Sequence, residues 1–312
     1  MGAPEHTRYR KIVNRAFTPA RVAALEPQVR AVTRELLDTV VPGTFDLTTE
    51  VAMPLPMRVI ADMIGAPPED RARIMRWGNA LVASTDPEYR APADEQLDAA
   101  AGLLGYFAQM RERRAGEPGD DLCSVLMAAE VDGERLSPVR FNFFLLLLAV
   151  AGNETTRNAI SHGVAAFAHH PEQWARLRAE PELVPLAVEE ILRWASPVAH
   201  FRRTAIAPME LRGERIEVGD VVSLWYPSAN RDEDVFTDPD TFDVGRDPNP
   251  QIAFGGGGPH FCLGASLARL ELRVVLEELL DRVDHIELTG EIDHLRSHFL
   301  NGVKHLPVRL MA

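Results

Sequence analysis

Residues 254–264 are the stretch of this chain with the clearest chemical potential, because a cysteine directly follows a run of glycines. The four glycines at 255–258 are costly in backbone entropy, and they allow a loop to approach a flat, bulky group closely. Cys262 lies just before a predicted helix, where free backbone N–H groups and the helix dipole stabilise a thiolate and lower its pKa. No second cysteine or histidine cluster accompanies it, so a tetrahedral zinc site does not fit. An axial thiolate ligand to haem iron does.

Two simpler interpretations of the same stretch stay open on these residues alone. A lone cysteine is most often a small buried hydrophobic residue. A glycine-rich loop before a helix can also bind an anion. Phosphate-binding loops continue with Lys and then Ser or Thr, whereas Pro259, His260 and Phe261 follow here, and the anion site is therefore the weaker alternative.

A second polar group lies at residues 151–156, within the most apolar part of the chain. Gly152 weakens a helix by about 1 kcal/mol relative to Ala. Glu154 and Thr155 are expensive in an apolar run unless they are used. The alternative is a threonine that hydrogen-bonds to the preceding turn beside a glutamate on a polar face.

Proline and capping signals predict mostly helical elements around these groups. Ser137 and Pro138 open a helix that nothing interrupts before Pro171, which predicts about 32 residues and a length of about 48 Å. We also predict one helix from Thr18-Pro19 through Leu36, helices near 68–86 and 94–114, two helices opened by Pro171 and Pro181, and a last helix over 263–283. Short strands are predicted within 197–246, at 286–288 and at 306–310.

Composition excludes several classes of protein. The 312 residues carry 33 Lys+Arg and 46 Asp+Glu, a formal net charge of −13, which disfavours nucleic acid or an anionic membrane as partner. The longest apolar run, at 143–150, is too short to span a bilayer. Two distant cysteines and no targeting segment favour a soluble, cytoplasmic protein.

Together these motifs closely resemble those of the cytochrome P450 family of haem-thiolate monooxygenases. The Cys262 loop matches the family's ligand loop, with one residue more than the common spacing between Phe254 and the cysteine, as in a subgroup of actinobacterial members. The resemblance covers nearly the whole chain. It implies a single domain, 1–312, of mainly α fold with a long central helix and a minor β region. It also implies haem b (iron protoporphyrin IX), O2, an apolar substrate and a separate ferredoxin-type electron donor with its reductase.

The same resemblance assigns roles to individual residues. Cys262 would ligate the iron, Thr155 would hydrogen-bond bound O2, and Glu154 would relay protons. Glu190 and Arg193 would form a buried structural pair joined by Arg246. The expected haem contacts are the propionate-binding cations His6, Arg10, Arg203 and His260, with Ala151, Phe254, Gly255 and Gly264 against the ring.

Substrate and partner contacts follow from the resemblance in less detail. The subgroup includes sterol and branched-lipid hydroxylases, which suggests a steroid or lipid substrate, and the candidate pocket residues are Val150, Val198, Ala199 and Leu300. Arg269 and Arg273 are expected to give the donor's docking surface positive charge. Family members begin earlier, so we expect the N-terminal strands and pocket roof to be missing. The alternatives are a haem-thiolate protein that binds ligand without turnover and a haem-free interaction surface.

Overall fold

The computed structural model describes residues 2–14, 17–82, 85–90, 92–117, 119–131 and 133–312. Most of these residues are helical. The α-helices are α1 (Glu5–Asn14), α2 (Pro19–Ala23), α3 (Glu26–Val40), α4 (Pro54–Ile64), α5 (Arg71–Val82), α6 (Ala93–Gly116), α7 (Leu122–Ala128), α8 (Pro138–His169), α9 (Pro171–Ala179), α10 (Val184–Ala195), α11 (Tyr226–Ala229) and α12 (Ala265–Leu280). A π-helical turn covers Thr48–Ala52, and 3₁₀ turns cover Pro68–Asp70 and Pro181–Leu183.

The long helix α8 has the predicted length of 32 residues. The Ser137 side chain accepts a hydrogen bond from the Arg140 N–H at its start, and Pro138 occupies the first turn. From Asn153 onward most of its side chains are buried, because α4, α6, α10 and α12 pack around it. The helix therefore runs through the main core, as the sequence predicted.

The single helix predicted from Pro19 to Leu36 is wrong. Thr18 caps α2 as expected, but α2 ends at Ala23 and α3 begins at Glu26. Pro27, in the first turn of α3, has no N–H to donate to a preceding turn, so a continuous helix cannot pass through it. The predicted helix at 68–86 is also shorter, since its first residues form a 3₁₀ turn and α5 follows.

The strands form small antiparallel sheets. They are β1 (Gly43–Asp46), β2 (Glu130–Val131), β3 (Glu134–Arg135), β4 (His200–Thr204), β5 (Met209–Leu211), β6 (Glu214–Ile216), β7 (Val221–Trp225), β8 (His285–Leu288), β9 (Asp293–His294), β10 (Val303–His305) and β11 (Pro307–Met311). In the three-stranded sheet β11 lies between β1 and β8, and β4 pairs with β7 in the register His200 to Trp225. This minor β region confirms the expected fold class.

Two groups of buried apolar side chains lie on either side of the region that carries the motifs. The larger one surrounds α8 and includes side chains of α3, α4, α10 and α12. The smaller one, which we call the wall cluster, consists of Val198, Tyr226, Leu295 and Leu300, with Tyr89, Ile252 and Phe299 packed against it. In the described ranges, no helix combines the length and the apolar character needed to cross a bilayer.

Candidate active site

The loop before α12 presents Cys262 at the surface. Gly255, Gly257 and Gly258 have φ angles of 93°, 94° and 77°, a left-handed region that other residues adopt only with strain. The Cys262 N–H donates to the Phe254 carbonyl at 3.0 Å and closes the loop. Cys262 is exposed, so its thiol is available to a ligand, whereas the other cysteine, Cys123, is buried.

The Cys262 thiol has a higher pKa than an ordinary cysteine, which corrects the expectation that the helix start lowers it. Although the residue is exposed, the protein atoms packed around the thiol partly desolvate it, and this desolvation raises the pKa. The backbone N–H groups of Gly264 and Ala265 act in the opposite direction, as expected at a helix start, and so do the charges of Arg10 and Arg269. Desolvation outweighs them in the protein alone.

The four expected propionate-binding cations come together beside this loop. The rings of His6 and His260 stack with centroids 3.9 Å apart. Arg10 Nη2 donates to the Phe261 carbonyl at 2.5 Å, one residue before Cys262. Burial lowers the pKa of His260, and the charges of His6, Arg203 and Arg10 lower it further. The group therefore lies within mutual electrostatic range although its members are up to 254 positions apart in sequence.

This group of cations is incomplete without an anion. Within the described ranges, none of His6, Arg10, Arg203 and His260 pairs with a carboxylate, and His6 Nδ1 is buried without a hydrogen-bond partner. The charges of Arg10 and Arg203 disfavour protonation of His260, so this group gathers positive charge that no carboxylate offsets among the described residues. A ligand with two carboxylates beside the thiol would supply that charge, and the residues present therefore fit haem b.

One face of the first half of α8, which we call the open face, is exposed. Phe143 and Leu147 are 55% and 57% exposed, and Ala151, one turn further on, is exposed as well. Thr155 follows at the same four-residue spacing and is half-buried. Residues four apart share one side of a helix, so these side chains form a single apolar stripe that ends in a hydroxyl. Val150 and Gly152, beside the stripe, are also half-buried.

The structure separates the two residues predicted to manage protons. The Thr155 hydroxyl donates to the Ala151 carbonyl at 3.0 Å, which is the alternative hydrogen bond considered from the sequence. Glu154 points into the core, where its carboxylate pairs with Arg157. Burial raises the pKa of Glu154, and the Arg157 charge opposes that effect. The hydroxyl thus faces the open side and the acid faces the interior.

Glu190, Arg193 and Arg246 form a buried cluster below the loop. Arg193 bonds both carboxylate oxygens of Glu190 at 2.8 Å, and Arg246 Nε reaches Oε2 of Glu190 at 3.1 Å. Arg193 also donates to the carbonyls of Asn230, Pro239 and Thr241. Charge-assisted bonds to so many backbone oxygens hold the irregular segment that precedes the loop.

Other expected contacts are placed differently. Val198 and Leu300 pair through an isolated β-bridge and are buried in the wall cluster, so neither side chain lies on the open face; Ala199 is half-buried. Arg269 is paired with Glu189 at 2.5 Å, and Arg273 with Glu26 at 2.5 Å and Glu277 at 2.9 Å. The expectation that these two arginines offer positive charge for docking is therefore wrong.

Sequence reasoning missed two features of the site. Phe201, Leu224 and Trp225 expose apolar surface on β4 and β7 beside Arg203. The sequences of these two strands did not indicate which face of the sheet would be exposed. Glu271 is fully buried in α12, and burial raises its pKa to about 8 against a hydrogen bond with Thr156. An acid among the apolar positions of the last helix was the available signal for it.

An exposed thiol, a group of cations in need of carboxylates and an apolar stripe on a long helix are the features of a haem-thiolate protein. The family model for cytochrome P450 matches residues 97–305. The chain is 48% identical over 310 residues to a methyl-branched lipid omega-hydroxylase of Mycobacterium tuberculosis, covering 98% of this chain and 72% of that protein. A steroid C26-monooxygenase of Mycolicibacterium smegmatis is 43% identical, with 99% and 71% covered.

Solved structures agree with these sequence matches. The Mycobacterium marinum cytochrome P450 CYP268A2 in complex with pseudoionone superposes with a TM-score of 0.95 at 41% identity, covering 99% of this chain and 76% of that chain. Bacillus megaterium CYP109E1 in complex with corticosterone has a TM-score of 0.92 at 36% identity, with 100% and 85% covered. The chain belongs to the cytochrome P450 family. It is a haem b monooxygenase that acts on apolar substrates, as the motifs predicted.

Proposed function

We propose that this protein hydroxylates a lipid or a steroid at the open face of α8. The observation that carries the proposal is the position of the Cys262 thiol beside His6, Arg10, Arg203 and His260, which have no carboxylate partner among the described residues. The relatives named as a methyl-branched lipid omega-hydroxylase and a steroid C26-monooxygenase support this substrate class. Haem b, when bound, supplies the activation of O2 and the insertion of one oxygen atom into the substrate.

The chain's own residues would hold the haem from three sides. Cys262 is the proposed iron ligand, and the four cations are the proposed partners of the propionates, because an arginine fork suits a carboxylate. Ala151 on α8 and Phe254, Gly255 and Gly264 of the loop would contact the ring. The small size of Ala151, Gly255 and Gly264 supports that role, since it leaves room for close approach.

Thr155 and Glu154 would share the proton handling. Thr155 is on the open side, and its hydroxyl can release the Ala151 carbonyl to hydrogen-bond O2. Glu154 is buried, and burial raises its pKa, which favours the protonated carboxyl that a proton donor needs. Because the carboxyl group faces Arg157 rather than Thr155, a proton would have to pass from Glu154 to Thr155 by a change of side-chain rotamer or through water.

The apolar stripe would take the hydrocarbon part of the substrate. Val150 lies beside Leu147 and Ala151 on α8, and the proposed contacts on the opposite side are Val198, Ala199 and Leu300. Since Val198 and Leu300 are buried in the wall cluster, they would shape the pocket from behind Phe299 and Tyr89. Apolar walls of this kind fit a long or branched hydrocarbon.

A separate ferredoxin-type protein with its reductase is the proposed electron source. Residues 255–258 lack the G-x-G-x-x-G pattern between a strand and a helix that marks a nicotinamide or flavin fingerprint. Because Arg269 and Arg273 are paired with carboxylates, we place the docking surface at α1 instead. Exposed Lys11 follows Arg10 there, beside the loop. Two free cysteines support a cytoplasmic location.

The absorption spectrum of the reduced protein under carbon monoxide tests the proposal. We expect a strongly red-shifted Soret band in the native protein and in Cys123→Ala, the matched control, and loss of that band in Cys262→Ser. Product formation from a fatty acid or corticosterone, with a ferredoxin and its reductase, is the second readout. A red-shifted band without any product would support ligand binding without turnover instead, and a native protein without haem would contradict the proposal.

A further inference from the structure

A single lysine is enclosed by three carboxylates where the connection between α5 and α6 meets the hairpin formed by β9 and β10, which we call the hairpin. Lys304 is 8% exposed, and its Nζ lies 3.0 Å from Glu88 Oε2, 3.1 Å from Asp293 Oδ2 and 3.4 Å from Asp86 Oδ1. Burial disfavours the charged ammonium, but the carboxylates outweigh it and raise the pKa of Lys304. The chain has one other lysine, Lys11, among its basic residues.

The same carboxylates fasten the 85–90 segment to the hairpin. Asp86 is 1% exposed, and its carboxylate accepts from the Arg296 N–H at 2.8 Å and from the Glu88 N–H at 2.9 Å. The Thr85 hydroxyl donates to the Arg296 carbonyl at 2.8 Å. Short segments without regular structure are mobile unless such bonds hold them, so this network determines where the 85–90 segment lies.

His305 extends the network to the sheet. Its Nε2 lies 3.0 Å from Glu88 Oε1, and its Nδ1 lies 2.5 Å from Asp46 Oδ2 at the end of β1. Hydrogen bonds to Asp46 raise the pKa of His305 despite partial burial, and Glu88 adds to that effect. The segment is therefore tied to β1, β9 and β10 together.

The ligand atoms of Glu88, Asp293 and His305 lie within 4.8 Å of one another, a spacing that a metal ion could use. Lys304 Nζ already contacts Glu88 and Asp293 from the same space. A second cation there would be repelled by the ammonium. Lys304 is therefore the cation that these carboxylates bind.

This network holds two aromatic residues that pack on the wall cluster. Tyr89 of the 85–90 segment and Phe299 of the hairpin both pack on the wall cluster. The Phe299 ring lies 5.6 Å from the ring of Phe201, which is exposed on β4 beside the cation Arg203. A shift of the hairpin or of the 85–90 segment would thus move Tyr89 and Phe299, and with Phe299 the ring contact to exposed Phe201.

We propose that Lys304 is a positioning residue that sets substrate specificity: by holding Asp86, Glu88 and Asp293 it keeps Tyr89 and Phe299, which pack on the wall cluster, in place beside the substrate. This inference rests on the proposed function, since it needs a substrate at the open face. It does not require Lys304 to touch the substrate or the haem.

The test compares two double variants of the haem-loaded protein. Glu88→Gln with Asp293→Asn removes two exposed partners of Lys304 and leaves buried Asp86 in place. Glu130→Gln with Glu287→Gln, the matched control, removes two exposed carboxylates that pair with Arg135 and Arg309. Dissociation constants are measured optically for corticosterone, hexadecanoic acid and imidazole, because imidazole is too small to reach the wall. Trypsin cleavage at Arg90 is the readout that does not depend on haem.

We expect the first double variant to weaken binding of corticosterone or hexadecanoic acid by about fivefold or more, with the imidazole constant unchanged and cleavage at Arg90 faster. The control pair and Lys304→Arg, which keeps the charge, should behave like the native protein. Equal loss of imidazole binding would mean a general loss of structure and overturn the inference, as would unchanged binding of both long ligands. Failure of the proposed function is seen separately, as a native protein without the red-shifted carbon monoxide band.

Discussion

At the scale of single residues, two buried acids lie on the helices α8 and α12. Glu154 and Glu271 both lie in the interior with raised pKa values, and the causes are the same, since desolvation penalises a charged carboxylate. Glu154 has Arg157 as partner, whereas Glu271 has the Thr156 hydroxyl. Titration of Glu154 and titration of Glu271 should therefore affect stability and turnover differently.

Glu271→Gln should remove a pH dependence of stability. In the native protein burial raises the pKa of Glu271 from 4.5 to about 8, so between these values the folded state keeps a proton that the unfolded state has lost. The free energy of unfolding then falls as pH rises, by up to about 1.4 kcal/mol per pH unit. Denaturant unfolding from pH 5 to 8.5 measures it. The variant should lose the part of that slope that Glu271 contributes, and Glu287→Gln, an exposed control, should retain the native slope; an unaltered slope in Glu271→Gln would contradict the assignment.

Thr155→Val should uncouple O2 consumption from product formation, because it keeps the shape of the side chain and removes the only hydroxyl on the stripe of Phe143, Leu147, Ala151 and Thr155. We expect the product formed per O2 consumed to fall by about tenfold or more, with the substrate dissociation constant little changed. Thr155→Ser retains the hydroxyl and should stay close to the native ratio. Native coupling in the valine variant would show that the hydroxyl serves only its bond to Ala151.

At the scale of elements, the crossing of α8 and α10 depends on a glycine. A Cβ at Gly163 would lie 3.0 Å from Ile191 Cγ2 and 3.1 Å from its Cδ1, whereas a Cβ at Gly152 of the same helix would meet Ile60 at 3.7 Å. Ile191 already occupies the space that a side chain at Gly163 would need, whereas a methyl group at Gly152 has room.

Gly163→Ala should therefore destabilise the protein by about 1–3 kcal/mol through overpacking. Gly152→Ala, the matched control on α8, should be neutral or stabilise it by up to about 1 kcal/mol, because alanine is the better helix former. The midpoint of urea unfolding measures both. Shifts of the same sign and size would contradict the tight crossing.

The elements that the sequence predicted well were those with local signals. Ser137, Pro138 and Pro171 mark both ends of α8, and the glycines with Cys262 mark the ligand loop, since capping and chain flexibility act over a few residues. β1 was missed because its partner β11 lies more than 260 positions away. His6 stacks on His260 across 254 positions, and Lys304 contacts Asp86 and Glu88 across more than 210. The sequence pattern could therefore suggest the cations but not the residues that hold the wall cluster.

At the scale of the whole molecule, the described structure exposes large apolar side chains on α8 and on β4 and β7 beside the loop. Phe143, Leu147, Phe201, Leu224 and Trp225 all expose large side chains there. Exposed apolar surface of this extent is unfavourable in water unless a ligand covers it. Binding of haem should therefore contribute to the stability of the entire fold.

Removal of haem should lower the thermal midpoint and increase binding of a hydrophobic dye. Ligand at 1,000 times its dissociation constant stabilises by about 4 kcal/mol, so reconstitution with haem should reverse both effects. Protoporphyrin IX without iron, the matched control, offers the same propionates and ring but no metal for Cys262, and should restore part of the midpoint. If it restored none, the cations and apolar face would not contribute as inferred; if it restored all, the thiolate would not contribute.

The scarcity of lysine has a practical consequence for coupling chemistry. Apart from the ten histidines, every basic side chain other than Lys11 and Lys304 is an arginine. Lys304 is enclosed by carboxylates, whereas Lys11 is exposed on α1. Reagents that acylate side-chain amines should therefore react at Lys11 and leave Lys304 largely unmodified. Because α1 borders the Cys262 loop through Arg10, a fluorophore, an electrode tether or a cross-linker attached in this way is delivered to the face of the molecule nearest the proposed iron ligand.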